Sequence, residues 1–329
     1  MDRKQVIACI DEIIAKAKPE GGVKQVFWVA AGGSNGGFYP AQYFMERESK
    51  SLNSHSFTSN EFVYAPPASL GKNSLVILCS MRGTSETCDA ADLAKARGAS
   101  TIALYIDPSR LTDTCNYCFA YKSISFDETE ASDMNASYGL FIALVLLKKL
   151  ENYEHYDLAV ESFMVLNHLY RDAWKYSLPL AERWAEKHKE EPVIWVLAGG
   201  PAYGAGYIFS ICNLEEMQWI SSPTVNTCEF IHGPFECTDK KLPMFVLLSE
   251  GRTRPADERA LAFLKKHTDD NIYVLDAKEL GLSRIDKRVS EYFNHLIFSP
   301  ILNNVYLRAL AVAKKHDYHY RRYMWQEAY

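Results

Sequence analysis

Apolar residues at Val6, Ile7, Ile10, Ile13 and Ile14 recur at helical spacing, with charges between them, and predict a first amphipathic helix. Pro19 and the Gly21-Gly22 pair stop it. VKQVFWVAAGG follows as an unbroken apolar run of strand length ending in glycines, the pattern of a parallel strand buried on both faces. PAQYFMERESKSL reads as helix, SLVILCS as a second buried strand, and MRGTSET as a polar loop opening the helix CDAADLAKARG. A third strand, STIALYI, leads through a Pro/Asp/Thr loop to the long apolar helix NASYGLFIALVLLKKLENY. Strand alternating with helix predicts an α/β fold, a parallel sheet with helices on both faces.

The pattern then restarts. Residues 151–190 read as a mixed-charge helical bridge. EPVIWVLAGGPAYGAGYIFSICNLEEMQWI repeats strand, glycines and helix; LPMFVLLSEGRTRPADERALAFLKKH repeats strand, Ser-containing loop and helix. NIYVLDA repeats the third strand, and residues 289–315 form a closing long helix. Gly32-Gly33 corresponds to Gly199-Gly200 and Ser80 to Ser249 at nearly equal displacements, which favours duplication over one large sheet with accidental similarity. The halves divide as 1–165 and 166–315, with a tail at 316–329 placed near the active site.

Composition narrows the function. With 329 residues the chain can form two ordinary domains, and 48% hydrophobic with 23% charged residues is a globular balance that excludes disorder. A net charge of −5 argues against a nucleic-acid partner but leaves room for one phosphorylated small molecule. The charged N-terminal stretch does not read as a signal peptide. No run of about 18 uncharged apolar residues stands out, so no membrane partner is expected. The eight cysteines lie largely in apolar runs and read as reduced thiols of a cytoplasmic protein. Cys115 and Cys118 form a lone C-x-x-C without a second cluster, so no metal site is expected.

Ligands of open parallel sheets bind beyond the carboxyl ends of strands. Three regions there carry chemistry. The glycine loop Ala31–Gly37 lets backbone amides approach a ligand, with Ser34 adding a hydroxyl. Its spacing is not G-x-G-x-x-G, which tells against a dinucleotide. The loop Ser80-Met81-Arg82-Gly83-Thr84-Ser85-Glu86-Thr87 packs four hydroxyls and a guanidinium before a helix, more than N-capping requires, and suits a phosphate dianion. Third, Glu215-Glu216 in a helix and His232 in a Gly-Pro loop are candidate acid–base partners, though taken alone the glutamates read as a solvated helix face and the histidine as a polar loop residue.

The segments VAAGGSNGGFYPAQYF, LVILCSMRGTSET, EEMQWI, EFIHGPFE, TRPADERALAFLKK and HDYHYRRYMW together resemble the tandem sugar isomerase (SIS) family over essentially the whole chain. Within it the chain is most similar to the fructosamine 6-phosphate deglycases, which act on phosphorylated Amadori products such as fructoselysine 6-phosphate and 6-phosphofructose-aspartate. The resemblance implies two SIS domains, each a three-layer αβα sandwich. It implies that Glu216 shuttles protons and His232 assists ring opening or protonates a sugar oxygen. It places Gly33 and Ser34 in the first glycine loop and Ser80, Arg82, Gly83, Thr84, Ser85 and Thr87 in the phosphate loop, with Glu229 and Arg322 as further substrate contacts. It also implies a homodimer, the histidine reaching the site across the interface.

The chain departs from the family pattern in places. The phosphate loop is one residue shorter, so Arg82 is expected to supply lost contacts. Ala31 stands where relatives often have Cys. Asn226-Thr227-Cys228 and Asp317-Tyr318-His319-Tyr320 replace the usual residues, and the tail ends Gln326-Glu327-Ala328-Tyr329. These changes are expected near the amine-recognition region. The implied reaction opens a 6-phosphorylated ketosamine, moves a proton from C1 to C2 and hydrolyses the resulting imine to glucose 6-phosphate and an amine. No metal or organic cofactor is expected, the amine nitrogen serving as electron sink. The alternatives are an aldose–ketose isomerase, an aminosugar-phosphate deaminase, and a non-catalytic phosphosugar sensor. The last usually carries a helix-turn-helix, for which the residues before the first strand are too few.

Overall fold

The computed structural model describes residues 1–327. The chain forms two compact units, Met1–Glu161 and a second that begins at Ser162.

In the first unit, α1 (Arg3–Ala17) precedes β1 (Gln25–Ala30), α2 (Gly32–Glu48), β2 (Asn53–Thr58) and α3 (Ser59–Tyr64). Then come β3 (Ser74–Cys79), α4 (Ser85–Ala96), β4 (Ser100–Tyr105), α5 (Arg110–Thr114), β5 (Tyr117–Ala120) and α6 (Asn135–Glu151). The sheet is wholly parallel in the order β2-β1-β3-β4-β5. Side-chain alternation along β1 builds the layers. Phe27 and Val29 pack with Phe62 of α3, Ala90, Ala91 and Ala94 of α4, and Leu111 of α5. Trp28 points the other way, 5.3 Å from the Phe38 ring of α2. Each fully buried side chain of this size contributes about 1.5–3 kcal/mol.

The helix α7 (Tyr156–His188) runs through the boundary between the units. The second unit repeats the theme with β6 (Trp195–Ala198), α8 (Tyr203–Ile208), β7 (Thr224–Asn226), β8 (Met244–Leu248), α9 (Arg254–His267) and β9 (Ile272–Asp276). It closes with α10 (Asn294–Ile301) and α11 (Arg308–Lys314). Its sheet is parallel in the order β7-β6-β8-β9. One face packs Leu197, Val246 and Leu248 against Ala260 and Leu264 of α9. The other gathers Trp184, Phe209, Tyr273 and Tyr306 around Phe245.

Several elements differ from the sequence reading. The strands β2, β5 and β7 were not expected. All three are sheet edges, half-exposed and short or polar, so they lack the apolar run that marked the central strands. The Ala31–Gly37 segment is not a loop: α2 begins at Gly32. α8 continues directly into a π-helix over Phe209–Glu216, and α10 and α11 are joined by another over Leu302–Leu307. The closing helix, Ser290–Lys314, is long and apolar enough to cross a membrane, with a mean hydropathy of 1.4 over an 18-residue window, which the sequence reading did not anticipate. Yet 78% of that window is buried inside the protein, as in a core helix. Cys115 and Cys118 lie at the end of α5 and in β5, and burial pushes the Cys115 thiol up to about 12. No cluster of three metal-ligating side chains occurs among the described residues.

Candidate functional site

The strand order of the first unit reverses between β1 and β3, the switch point where open α/β sheets hold ligands. Ala30 and Cys79 end these strands side by side, so the segments carrying Gly33-Ser34 and Ser80–Thr87 leave the same edge. Gly33 and Ser34 lie in the first turn of α2, whose leading amides have no partner within the helix. Ser34, Asn135 and Tyr121 hydrogen-bond around the Cys79 thiol, while burial pushes that thiol upward.

The expected phosphate loop divides in two. Ser80 and Thr87 are buried, and their hydroxyls serve the loop itself. The Thr84 amide donates to Ser80 Oγ at 3.0 Å, Thr84 and Thr87 share a hydroxyl hydrogen bond at 3.0 Å, and Thr87 meets Ser59 Oγ at 2.8 Å. Met81 O accepts from the Ile106 and Asp107 amides, tying the loop to the end of β4. Gly83 holds a φ of +68° against Ser109, a conformation and a space that only glycine suits. Arg82, Thr84 and Ser85 are exposed at the start of α4. Arg82 Nε lies 3.4 Å from Asp107, a surface pair that constrains it weakly. The exposed donors are therefore Arg82, the Ser85 hydroxyl, which donates to Glu86 Oε2 at 3.2 Å, the Thr84 hydroxyl, shared with Thr87, and the leading amides of α4 at Ser85 and Glu86.

The matching switch point of the second unit, between β6 and β8, is already filled by a carboxyl group. Asp257 is fully buried; its carboxylate accepts from the Ser249 amide at 2.9 Å, from Ser249 Oγ at 2.5 Å and from Thr227 Oγ1 at 2.5 Å. Burial raises its pKa, against the hydrogen bonds of Ser249 and Thr227. Thr227 and Asp257 occupy the places that Ser59 and Thr87 hold in the first unit, at the head of the segment after the edge strand and in the following helix. A Cβ on Gly199 would lie 1.8 Å from Thr227 Oγ1, so this glycine admits the network. The Thr227 departure, expected in amine recognition, is thus a structural partner of Asp257. Arg252 is likewise taken internally, its Nε donating to Glu291 at 2.7 Å.

Glu216 is the last residue of the π-helix Phe209–Glu216. Such turns are rare and recur at functional sites. The π segment is pinned by buried amides: Asn213 donates to Asn303 Oδ1 at 3.0 Å, Asn303 to Asn304 at 2.9 Å, and Asn304 to the Tyr170 hydroxyl at 2.9 Å. The helix ends on Trp219 in the left-handed region, φ 56°, which costs a bulky L residue about 1–2 kcal/mol. The two neighbouring glutamates diverge. Glu215 accepts the Ser222 amide at 3.0 Å, whereas Glu216 Oε1 accepts from Arg321 Nε at 2.6 Å.

Arg321 is the residue the sequence reading missed. It selected Arg322, whose guanidinium instead lies 4.1 Å from the exposed Trp219 ring. Arg321 is 7% exposed, and its Nη1 donates to Tyr318 O at 2.6 Å and Tyr320 O at 3.2 Å. His316 and Tyr320 also pack on Trp219, with ring centroids 4.4 and 5.6 Å away. The tail therefore covers the corner at Glu216–Trp219; Ala328 and Tyr329 lie outside the described residues. Adjacent arginines in an irregular tail carry no periodicity that separates the buried one from the exposed one.

His232 is exposed in a turn; its amide donates to Glu229 O at 2.8 Å, and its imidazole meets no hydrogen-bond partner among the described residues. Glu229 is also exposed, close enough to Tyr203 that its charge adds to the burial raising that hydroxyl. No hydrogen bond joins Glu216 and His232 among the described residues.

No protein-family model matches the chain. The fructosamine deglycase FrlB of Bacillus subtilis (strain 168) is 40% identical over 311 residues, 93% of each chain. The fructoselysine 6-phosphate deglycase of Escherichia coli (strain K12) is 26% identical over 285 residues, 84% of this chain and 78% of that one. A crystal structure from Salmonella typhimurium LT2, assigned as a phosphosugar isomerase, superposes with a TM-score of 0.96 at 38% identity, covering 99% of this chain and 97% of its own.

Proposed function

Since the chain belongs to the fructosamine deglycase family of tandem SIS proteins, we propose that it is a fructosamine 6-phosphate deglycase, splitting a 6-phosphorylated Amadori product into glucose 6-phosphate and an amine or amino acid. The observation that carries this reading is the asymmetry of the two switch points. The first opens amides, Thr84, Ser85 and Arg82 to an anion, while the second is filled by the Asp257 carboxylate. One phosphate group per chain is the stoichiometry of such a substrate.

The chemistry follows from the residues. The C6 phosphate is held by the Arg82–Ser85 segment. His232 assists ring opening, exposing the C2 carbonyl. Glu216 then takes a proton from C1, and the C–H electron pair forms the C1–C2 double bond as the carbonyl oxygen takes up a proton. The carbonyl, rather than the amine nitrogen, is the sink in this step. The nitrogen lone pair then drives reprotonation at C2 and leaves a C1 imine. Water adds to the imine, and the amine departs. A general base of this kind contributes about 10²–10⁴-fold. The exposed His232 ring, without a hydrogen-bond partner among the described residues, supports a homodimer in which it serves a neighbouring chain's site. A cytoplasmic location accords with this metabolism.

The test is a panel of 6-phosphorylated fructosamines together with glucosamine 6-phosphate, read as glucose 6-phosphate and ammonia release. A deglycase releases glucose 6-phosphate from a fructosamine; ammonia from glucosamine 6-phosphate alone would make it a deaminase. Glu216→Gln should lose about 10²–10⁴-fold in kcat with KM little changed, and near-full activity in that variant refutes the proton-shuttle role.

A further inference from the structure

We infer that Arg321 is a positioning residue for Glu216, an inference that rests on Glu216 being the proton-shuttling base. The guanidinium has two jobs on different atoms. Nη1 is anchored by Tyr318 O and Tyr320 O of its own tail, and Nε is thereby left to hold one oxygen of Glu216 at 2.6 Å. The other oxygen, Oε2, has no hydrogen-bond partner among the described residues and is free to move a proton. Trp325 flanks the guanidinium at 5.5 Å.

A simple surface ion pair would not look like this. Arg321 is buried beyond what an ordinary exposed pair requires, and a buried guanidinium keeps its place only when its donors are matched. An arginine suits the task because its planar fork fixes directions, which a lysine ammonium cannot do. Glu216 also sits at the end of a π-turn and two residues before the Gln218 amide, which donates to Met217 O at 2.8 Å and reaches His316 O at 3.4 Å. The tail thus contacts Glu216 directly through Arg321 Nε, and the Gln218 side-chain amide ties the helix end to the tail beside it. General-base catalysis depends on such alignment: misplacement by about 1 Å costs about 10²-fold in rate.

The test compares the wild type with Arg321→Ala, Arg321→Lys and Glu216→Gln on whichever 6-phosphorylated fructosamine of the panel it turns over. Arg321→Ala should lose about 10²-fold in kcat with KM changed by less than about threefold, and added guanidinium chloride at low millimolar concentration should restore part of that kcat. Guanidinium should do nothing for Glu216→Gln. Arg321→Lys should fall between the wild type and Arg321→Ala, with a wild-type melting temperature, and it carries the test by itself if the alanine variant does not fold. Wild-type kcat in a folded Arg321 variant overturns the inference, and so does a raised kcat, which would make the tail a blocking lid. A loss confined to KM, without rescue, also overturns it. If Glu216→Gln is inactive while Arg321→Ala is fully active, this inference alone fails. If Glu216→Gln is fully active, the reading of the reaction fails and takes this one with it.

Discussion

The Ser80–Thr87 loop, proposed to hold the phosphate, makes a prediction that can be worked through from its geometry. At Gly83, φ is +68°, and an added Cβ would lie 2.1 Å from Ser109 Oγ and 2.7 Å from Ser109 Cβ. Gly83→Ala therefore meets two costs. An L residue in the left-handed region costs about 1–2 kcal/mol, and overpacking of this severity costs about 1–3 kcal/mol. The sum is about 2–5 kcal/mol, a loss on the order of 10 °C in melting temperature for a unit of this size. The two costs separate experimentally. Ser109→Gly deletes both offending atoms, and at the position preceding α5 glycine is only a few tenths of a kcal/mol worse than serine. The double variant should recover the steric share and keep about 1–2 kcal/mol of backbone cost. Thermal melting of the wild type, both single variants and the double variant gives the coupling directly. KM for the phosphorylated substrate should rise in Gly83→Ala and fall back in the double variant. If Gly83→Ala melts with the wild type, or if the double variant is no more stable than Gly83→Ala, the packing described for this loop is wrong.

The remaining predictions concern the second unit. His232→Ala should change stability by less than about 0.5 kcal/mol, because the ring is exposed and meets no hydrogen-bond partner among the described residues, yet lower turnover by about 10²–10⁴-fold; an already open-chain substrate that restores activity would identify ring opening as its step. Asp257→Asn should alter the pH dependence of stability. The folded-state pKa of Asp257 is raised by burial, so between the ordinary Asp value of about 3.9 and the raised value the folded state binds more protons than the unfolded one. Wild-type stability contributed by this group therefore falls as pH rises through that window. The melting difference, wild type minus variant, should shrink as pH climbs, and a difference that stays flat would show that Asp257 carries no raised value.

Much of this was legible in the chain. The central strands announced themselves as apolar runs because parallel strands are buried on both faces. The Ser80–Thr87 cluster stood out because one hydroxyl suffices to cap a helix. The edge strands β2, β5 and β7 did not, because polar residues such as Asn53, Ser54 and His55 are tolerated where one side faces water. Neither π-helix was visible, since a short widened stretch inside a longer helix leaves hydrophobic spacing almost unchanged. The residues departing from the family pattern at Asn226-Thr227-Cys228 were expected near the amine-recognition region, but Thr227 serves a carboxyl group 30 positions along the chain.

Hydrophobic periodicity alone determined an α/β chain with a repeated strand–glycine–helix theme, because burial imposes a period that propagates along each element. Local composition singled out the hydroxyl-rich Ser80–Thr87 loop and the Glu215-Glu216 pair as candidates. What each polar side chain does was decided only by tertiary contact. Ser80 and Thr87 turn inward while Thr84 and Ser85 stay open, Asp257 fills the second switch point, and Arg321 rather than Arg322 meets Glu216. The physical reason is that a hydrogen bond or ion pair depends on directions and distances of a few tenths of an ångström between residues far apart in sequence. No local pattern records those.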